Sequence, residues 1–374
     1  MKGIPMKRVF FLIALAMLLA MLASCGSRTF EPIEESPIPS EPAMAELTPS
    51  PSPTPLSSPT PAPSEEPAYR NALTGVAASA APSYRPIAIM VNNIKEAQPL
   101  YGIGKADIIY ETQAEGGVTR LLAVFEDISK INVVGSIRSA RDYYIDLAQG
   151  LNAVFTHCGT SPLAATAIAN RGLKTIDGLS GSYANTFYRD KGRKAAGYAY
   201  EHQLFTDAER LVAAEEKLGA VYNDKFDNTL KFSDTPLQGV KTTPATSINV
   251  KHSGYKSTLF EYDSASGTYA VSQFKKAMND ADTGEQLAVS NVLVLKTAIS
   301  NIKGDTSGRV SVRLTGSGDG MFYCEGKAVA VKWSKKDAGS PFNYTLSDGM
   351  PLMLARGVTY INIVASDAVV SVDE

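Results

Sequence analysis

Arginines are concentrated in one short segment of the sequence, residues 135–141, which reads Gly-Ser-Ile-Arg-Ser-Ala-Arg. The segment passes from a predicted strand into a helix predicted to begin at Ser139, so Arg138 and Arg141 flank a helix N-terminus. The first backbone amides of a helix carry partial positive charge, and guanidinium groups donate paired hydrogen bonds. We therefore expect Arg138, Arg141 and Ser139 to bind a phosphate or a carboxylate.

Two further arginines and a second turn extend this prediction. Arg120 follows a loop that contains Gly116 and Gly117, and Arg189 begins a dense charged run. Residues 157–161 form another turn between a predicted strand and a predicted helix. Ligands of α/β sheets favour the crevice at the carboxyl ends of the strands, so these turns predict a polar pocket lined by arginines. The alternative for the run that begins at Arg189 is an ordinary solvated loop.

Four titratable side chains in the same half of the chain are candidates for acid–base or metal chemistry. Glu111 and Glu115 lie between two predicted strands, His157 ends an apolar strand, and His202 follows the charged run. A carboxylate can act as a general base or a metal ligand, and an imidazole can act as an acid, a base or a ligand. The alternative is structural: the glutamates pair with Arg120 or cap backbone groups, and the histidines are hydrogen-bonded core residues.

The N-terminus carries the pattern of export and lipid attachment. Basic residues precede an apolar run over residues 9–21, and the sequence Leu-Ala-Ser-Cys then ends at Cys25. The basic start and apolar run are typical of a secretory signal peptide, and Leu-Ala-Ser-Cys resembles the bacterial lipobox. We expect residues 1–24 to be removed and acyl chains on Cys25 to hold the protein on the outer face of the cell membrane. An ordinary cleaved signal is the alternative.

Residues 25–68 are predicted to form a disordered tether. Within residues 31–67 lie 12 of the 21 prolines of the chain and seven glutamates, with no lysine or arginine. Proline at this density removes backbone donors and favours extended polyproline II geometry, which spans on the order of 100 Å over such a length. Such a tether would hold the folded part of the chain away from the membrane, inside the cell wall.

The charge balance of the remaining chain argues against nucleic-acid binding. Of 36 basic and 38 acidic residues, four and seven precede residue 68, which leaves 32 and 31. A neutral surface does not accumulate nucleic acid, so anion binding must come from local arginines. The three histidines lack the spacing of a zinc site, and Cys158 and Cys324 are expected to be free thiols, with a disulfide as the alternative. The residues identify no cofactor and no metal.

Strand-like and helix-like patterns alternate in the first half of the folded chain, before a predicted boundary at residues 234–244. The predicted strands are residues 86–91, 106–111, 120–126, 133–137 and 152–157. The predicted helices run from Ser139 to Gly150, from Ser161-Pro162 to Gly172, and from Thr206 to Gly219. This order predicts a mixed sheet with helices against it over residues 69–238.

Short strands separated by polar turns dominate the second half, residues 239–374. The predicted strands are residues 246–250, 268–274, 289–297, 309–315, 328–333 and 358–364. The predicted fold class is therefore α+β. We expect a mixed sheet with helices in the first domain and a β-rich sheet or small barrel in the second, with the two packed together.

A series of motifs resembles the YerB-type lipoproteins, the family of unknown function named DUF3048. The first domain carries the resemblance in residues 85–93, 106–111, 115–120, 136–141 and 187–190, and the second in residues 282–284, 291–294, 308–309, 316–318 and 333. The resemblance runs from about Tyr84 to the end of the chain. It implies a lipid-anchored exterior protein of spore-forming or related Gram-positive bacteria, with a mixed first domain and a β-rich second. It implies no particular reaction.

The leading interpretation is a cell-envelope protein that binds an anionic ligand. Arg120, Arg138, Arg141 and Arg189 would hold an anionic cell-wall glycan, a phosphate or peptide group, or a lipid-linked precursor, and this binding needs no catalysis. The sequence does not decide whether the protein is an enzyme, but it favours binding without catalysis.

Two alternatives belong to other classes of function. One is a metal-assisted phosphotransferase acting on lipid-linked glycans, because Asp107, the Ser136-Ile137 pair beside Arg138, and Gly159 follow an order similar to that of the LytR-CpsA-Psr proteins. The other is a partner of wall-synthesis proteins that takes no small ligand. Such a partner would present an exposed apolar patch on the β-rich half.

Overall fold

The computed structural model describes residues 67–373. The predicted signal peptide, the lipid site at Cys25 and the tether up to residue 66 lie outside the described residues. Within the described range, no helix is both long enough and apolar enough to cross a membrane.

A mixed sheet of eleven strands forms the centre of the described structure, and both halves of the chain contribute strands to it. With strands numbered in chain order, its members in spatial order are β12 (Thr243–Pro244), β22 (Lys327–Lys335), β21 (Gly316–Cys324), β18 (Asn291–Thr297), β25 (Thr359–Ala365), β4 (Ile108–Gln113), β5 (Thr119–Phe125), β3 (Ile87–Asn93), β7 (Val154–His157) and β8 (Ile176–Asp177), with β23 (Asn343–Leu346) beside β22. Strands β3, β4, β7, β8, β18 and β25 are parallel, whereas β5 and β21 run the opposite way.

The two faces of this sheet are covered by different partners. Every residue of β3 is buried, as expected for a central strand packed on both sides. Ile89 and Val91 belong to one core, which they share with a smaller sheet from the second half of the chain. Ala88 and Met90 belong to another core, which they share with the helix of residues 142–149. Because side chains alternate along a strand, successive residues of β3, β4 and β5 point to opposite cores.

A smaller antiparallel sheet from the second half covers one of these faces. Its strands, in order, are β16 (Lys276–Ala277), β15 (Thr268–Gln273), β14 (Ser257–Asp263), β13 (Ser247–Lys251) and β26 (Val370–Asp373), with β17 (Ala288–Val289) beside β15. Buried and exposed residues alternate along β13, which is the pattern of a strand with one face on a core and one face in water.

The helices within residues 67–373 are few and short. They are α1 (Asp142–Gln149), α2 (Pro162–Asn170), α3 (Lys191–Ala195) and α4 (Ala208–Leu218), with 3₁₀ turns at Lys95–Ala97, Ile103–Lys105, Ile128–Lys130, Ala184–Thr186 and Tyr200–His202. The predicted cap of α2 is confirmed, because Ser161 Oγ accepts from Ala164 N at 3.2 Å and proline follows at the first helical position. Gly219, with φ of 73°, ends α4 as predicted.

Two predicted helix starts are wrong. The N-cap of α1 is Arg141, which makes no capping bond through its side chain, and Ser139 lies in the extended chain before it. The N-cap of α4 is Asp207, whose Oδ1 accepts from Arg210 N at 3.0 Å, while Thr206 belongs to a strand. In both places a polar residue nearby matched the capping pattern, but the strand hydrogen bonds extend further than the pattern suggested.

The remaining strands form small sheets around the edge. They are β6 (Val134–Gly135), β10 (Leu204–Thr206) and β9 (Tyr188–Arg189) in one sheet, and the pairs β1 (Tyr69–Arg70) with β2 (Ala77–Ala78), β11 (Phe232–Ser233) with β24 (Leu354–Ala355), and β19 (Ile299–Asn301) with β20 (Val310–Val312). The α+β fold class is confirmed, although the helices are fewer than the strands. For the second half the sequence predicts a β-rich sheet or a small barrel, and the described strands form open sheets.

Candidate functional site

An extended segment, residues 136–140, leads from β6 to α1 along the carboxyl end of β3. On one side Arg138 N donates to Met90 O at 2.9 Å, and on the other Cys158 N donates to Arg138 O at 3.0 Å. The segment therefore fills the place of a strand between β3 and the turn that follows β7. Backbone hydrogen bonds on both sides fix the point from which the Arg138 side chain leaves the chain.

Arg120 and Arg141 converge on a single carboxylate, that of Glu115. Arg120 Nη2 lies 2.5 Å from Oε1, and Arg141 Nη2 lies 2.5 Å from Oε2. The two arginine side chains are only 4% and 8% exposed, and Glu115 is 25% exposed. Of the roles that the sequence left open for Glu115, the structure places it in an ion pair with two nearly buried guanidinium groups.

Ser139 contributes its backbone rather than a helix terminus. Its carbonyl accepts from Arg120 Nη1, and Arg141 Nη1 lies 3.5 Å from the same oxygen and donates to Ala140 O at 2.7 Å. Both guanidinium groups are thus held against the extended segment. The predicted anion site at a helix N-terminus is replaced by a cluster of side chains.

Arg138 uses little of its hydrogen-bonding capacity. Its Nη1 makes one long hydrogen bond, 3.4 Å, to Glu201 O, and its Nε is buried without a partner. Burial lowers its pKa, and repulsion from Arg141 adds to the effect, against attraction by Glu201 and Glu115. Five donor hydrogens in a fixed plane with so few acceptors leave room for an anionic ligand.

The electrostatics of the cluster show crowded positive charge. Burial, together with repulsion from Arg141 and Arg138, lowers the pKa of Arg120 to about 10 against the attraction of Glu115. Burial by itself would raise the pKa of Glu115, but Arg120 and Arg141 outweigh it and hold that pKa below its ordinary value. An additional anion would relieve this repulsion.

Arg189 approaches the cluster from the small sheet of β6, β10 and β9. Leu204 of β10 pairs with Arg189 of β9 on one side, and its carbonyl accepts from Ile137 N of the extended segment on the other. Strand β10 therefore lies between Arg189 and the extended segment. Its guanidinium lies 3.7 Å above the ring of Tyr200 and donates to Tyr200 O at 2.6 Å. Arg138 and Arg189 both act on the thiol of Cys158, whose pKa burial raises and the two arginines lower.

The two predicted histidines occupy different environments. His157 is fully buried, with Nδ1 2.9 Å from Gly159 O and Nε2 3.0 Å from Thr175 Oγ1, so both of its nitrogens have partners and it supports the turn. His202 Nδ1 lies 3.0 Å from Asn92 Nδ2. Burial, then repulsion by Arg138, lowers the pKa of His202, which favours a neutral ring that accepts from the amide.

Asp107 does not join the arginine cluster. It precedes β4, whereas Glu115 follows the same strand, so about 20 Å of extended chain separates the two ends. Asp107 accepts from Glu126 N at 2.6 Å and from Asn71 Nδ2 at 3.1 Å, and these contacts tie down the opposite edge of the sheet. The order of residues that suggested a phosphotransferase is therefore not assembled in space.

Glu111 lies on the other face of the sheet from Arg120, in a buried polar cluster with the second sheet. Its Oε1 accepts from Asn93 Nδ2 at 2.8 Å and from Thr119 Oγ1 at 2.7 Å. Its Oε2 accepts from Thr258 Oγ1 and from Tyr360 OH, each at 2.7 Å. The carboxylate is fully buried, so it links the first half of the chain to the second.

Two basic side chains of the second half lie beside the carboxylate of Glu111. His252 Nε2 lies 3.5 Å and Lys256 Nζ lies 3.8 Å from the carboxylate, and neither side chain is exposed. Burial by itself would raise the pKa of Glu111, but His252 and Lys256 hold it well below its ordinary value. Burial also lowers the pKa of Lys256, to about 8, against the attraction of Glu111.

Sequence reasoning did not find His252, Lys256 or Tyr360 as partners of Glu111. A signal was present, because Glu111 directly follows an apolar run in β4, Asn362 interrupts the apolar strand β25, and these two residues pair with each other. A polar residue within a buried strand requires a partner. What the sequence lacked was the pairing, which joins residues more than a hundred positions apart.

A cavity of about 200 Å³ adjoins Arg141. It lies between the start of α2 and the chain near β20, with Pro162, Leu163 and Ile302 in its wall together with Arg309. Such a space could take the uncharged part of a ligand whose anionic group is held by arginines. Over residues 67–373, no group of three or more histidine, cysteine, aspartate or glutamate side chains is placed to hold a metal ion.

Comparisons with known proteins place the chain beside one group of relatives. The family models described as "Protein of unknown function (DUF3048)" match residues 73–221 with the N-terminal domain and residues 247–361 with the C-terminal domain. A relative from Bacillus subtilis (strain 168), named "Putative lipoprotein YerB", is 27% identical over 281 residues, 75% of this chain and 81% of its own. The crystal structure of the YerB protein from Bacillus subtilis has a TM-score of 0.69 and 27% identity, and it covers 81% of this chain and 99% of that one.

Proposed function

Since the chain belongs to the DUF3048 family of YerB-type proteins, for which no activity is described, we propose that it is a lipid-anchored protein that binds an anionic group of the cell envelope at Arg138. The observation that carries the proposal is the arginine cluster itself. Arg120 and Arg141 share one carboxylate, and Arg138 beside them has a single long hydrogen bond.

The anionic ligand follows from the balance of charge in the cluster. Two nearly buried guanidinium groups, those of Arg120 and Arg141, share the single carboxylate of Glu115, and Arg138 adds a third positive charge beside them. A phosphate or pyrophosphate accepts paired hydrogen bonds from a guanidinium and neutralises more charge than a single carboxylate. A phosphorylated or pyrophosphate-linked wall glycan is the class of ligand that we propose.

A binding experiment tests this function directly. A chain that begins at residue 67, where the described residues begin, suits calorimetry with pyrophosphate and with a polyprenyl-pyrophosphate glycan. Arg138→Ala removes one charged donor group, which should weaken binding about tenfold to a hundredfold. The matched control is Arg356→Ala, because Arg356 pairs with Asp234 at the Asp107 edge of the sheet and leaves the cluster intact.

The expected result also has a salt dependence. Binding by partly exposed guanidinium groups weakens as ionic strength rises, because dissolved ions screen the attraction between charges and the screening length is about 10 Å at 0.1 M salt. If Arg138→Ala and Arg356→Ala bind equally well, or if the unaltered chain binds neither probe, the arginines stabilise the fold and the proposed function is wrong.

Membrane attachment is the second part of the proposal. The lipobox-like sequence ending at Cys25 and the lipoprotein name of the Bacillus subtilis relative support it. In cells, the full chain should take up a fatty-acid label and fractionate with membranes, on the outer face where added protease can reach it. Cys25→Ser should abolish the label and release the chain. A labelled Cys25→Ser variant would contradict this site of attachment.

A second candidate function, contact with wall-synthesis proteins, is favoured by one groove on the β-rich half. The groove has a volume of about 510 Å³, and Met321, Tyr323, Val370 and Val372 lie in its wall. Charged substitutions there, such as Val372→Glu, should reduce in-cell cross-linking to a wall-synthesis enzyme, while Arg138→Ala should not. Equal cross-linking by both variants would remove this candidate.

A further inference from the structure

Lys256 and Gln273 face each other inside the buried cluster around Glu111. Lys256 Nζ lies 2.5 Å from Gln273 Oε1, so the amine is placed beside the carboxamide group. The Lys256 side chain is not exposed at all, and Gln273 is 4% exposed. An amine held this close to a carbonyl in a dry site has the proximity that favours attack on the carbonyl carbon.

The nitrogen of the same carboxamide is surrounded by groups that can move protons. Gln273 Nε2 lies 3.3 Å from Glu111 Oε2, 3.2 Å from Tyr360 OH and 3.1 Å from Thr258 Oγ1. Glu111 Oε1 also lies 3.8 Å from Lys256 Nζ. One carboxylate therefore reaches both the nucleophile and the leaving nitrogen, which is the position required of a proton carrier.

We propose that Lys256 and Gln273 react to form an intramolecular amide bond, with Glu111 as the proton carrier. The neutral amine nitrogen of Lys256, Nζ, attacks Cδ of Gln273. Glu111 takes a proton from the attacking nitrogen, which becomes acidic once the new bond forms, and passes it to Nε2; the bond between Cδ and Nε2 then breaks and ammonia leaves. The amine and the carboxamide become one secondary amide and one ammonia, so atoms and charge balance without another reactant.

The environment of Lys256 supports this reaction. Burial lowers the pKa of Lys256 to about 8, so the neutral amine is accessible near neutral pH. His252 Nε2 also lies 3.5 Å from the carboxylate of Glu111. The new bond would join β15 to the residue just before β14, directly under β4.

Peptide mapping of the full chain tests the proposal. Trypsin cleaves after a free lysine, so an unlinked chain yields residues 252–256 and 257–275 as separate peptides. A linked chain yields residues 252–275 uncut at Lys256 and lighter by one ammonia. Further cleavage after Glu261 should then give two peptides, residues 252–261 and 262–275, that remain joined through the side chains.

The same digest contains a matched internal control. Lys335 is also buried, and burial likewise lowers its pKa to about 8, but its Nζ donates to the backbone carbonyl groups of Ala338 and Ser340. No carboxamide is among those partners, so trypsin should cleave normally after Lys335. A block at both lysines would point to general modification of buried amines and overturn the proposal.

Variants separate the roles of Lys256 and Glu111. Lys256→Arg keeps a cation but removes the nucleophile, and it should abolish the joined peptide. Glu111→Gln should also abolish it while Lys256 and Gln273 remain, with the buried Trp333 reporting by its fluorescence that the chain is folded. Recovery of only the separate linear peptides from the unaltered chain overturns the proposal, and a link that persists in Glu111→Gln overturns the role of Glu111.

Discussion

Replacing Glu115 by glutamine isolates the contribution of one carboxylate to the arginine cluster. The substitution keeps the shape of the side chain and one acceptor oxygen but removes the charge that Arg120 and Arg141 share. Breaking a buried ion pair by removing one partner costs about 3–5 kcal/mol, because the remaining charge is left uncompensated. Glu115 is a quarter exposed, so water offsets part of this cost, and we expect a loss of about 2–4 kcal/mol.

The chain carries its own probe for this measurement. Trp333 is the single tryptophan, and it is buried against Phe342 at the second-half end of the central sheet. Its fluorescence during urea titration reports unfolding of the sheet, and the shift in midpoint gives the change in free energy. The matched control is Asp319→Asn, since the ion pair of Asp319 with Lys332 is 82% and 62% exposed and should contribute little.

The anion dependence sharpens the same experiment. If the cluster binds phosphate, added phosphate stabilises the folded state, and it should stabilise Glu115→Gln more than the unaltered chain because the variant has greater uncompensated charge. The reasoning is refuted if Glu115→Gln loses no more stability than Asp319→Asn, or if phosphate affects both chains equally. Either result would mean that the arginines do not depend on Glu115 for compensation.

Three further predictions concern other parts of the fold. Burial raises the pKa of Glu215 to about 8, so between about pH 5 and 8 the folded state keeps a proton that the unfolded state loses, and the stability of the folded state falls as pH rises. Glu215→Gln should remove this dependence of the urea midpoint on pH. An unchanged pH dependence in the variant would contradict the prediction. Ser161→Ala removes the cap bond to Ala164 N and should cost about 1 kcal/mol in the same assay, with no change expected if the bond is absent in solution. Gly135→Ala places a methyl group about 2.4 Å from Phe205, so we expect the free energy of unfolding to fall by about 1–3 kcal/mol and anion binding at residues 136–140 to weaken. A substitution without effect on stability would show that Phe205 moves aside.

Much of the local structure could be predicted because its causes are local. The apolar run of β3, the Ser161-Pro162 start of α2 and Gly219 at the end of α4 each depend on residues within a few positions. The strand β21 was missed, because its Gly-Ser-Gly-Asp-Gly start has the composition of a turn. It becomes a strand because β18 and β22 supply hydrogen bonds on its two sides.

The candidate site was predicted in part. The grouping of Arg120, Arg138 and Arg141 followed from their positions at the ends of neighbouring elements, and the structure brings all three to the same end of the sheet. The details differ, because Arg141 rather than Ser139 occupies the N-cap position of α1, and it makes no capping bond through its side chain. The error arose from reading a short capping pattern without the backbone bonds that keep residues 136–140 extended.

The sequence by itself determined the composition of each part of this protein: the lipobox-like start, the proline-rich segment, the neutral remainder, the family motifs and the arginines near residue 138. Only the tertiary structure decided which charges meet. Glu111 finds Thr258 and Tyr360, 147 and 249 positions away, because the second sheet packs on one face of the central sheet. Alternation along a strand places Arg120 on the opposite face, so two neighbouring strands support two separate polar clusters.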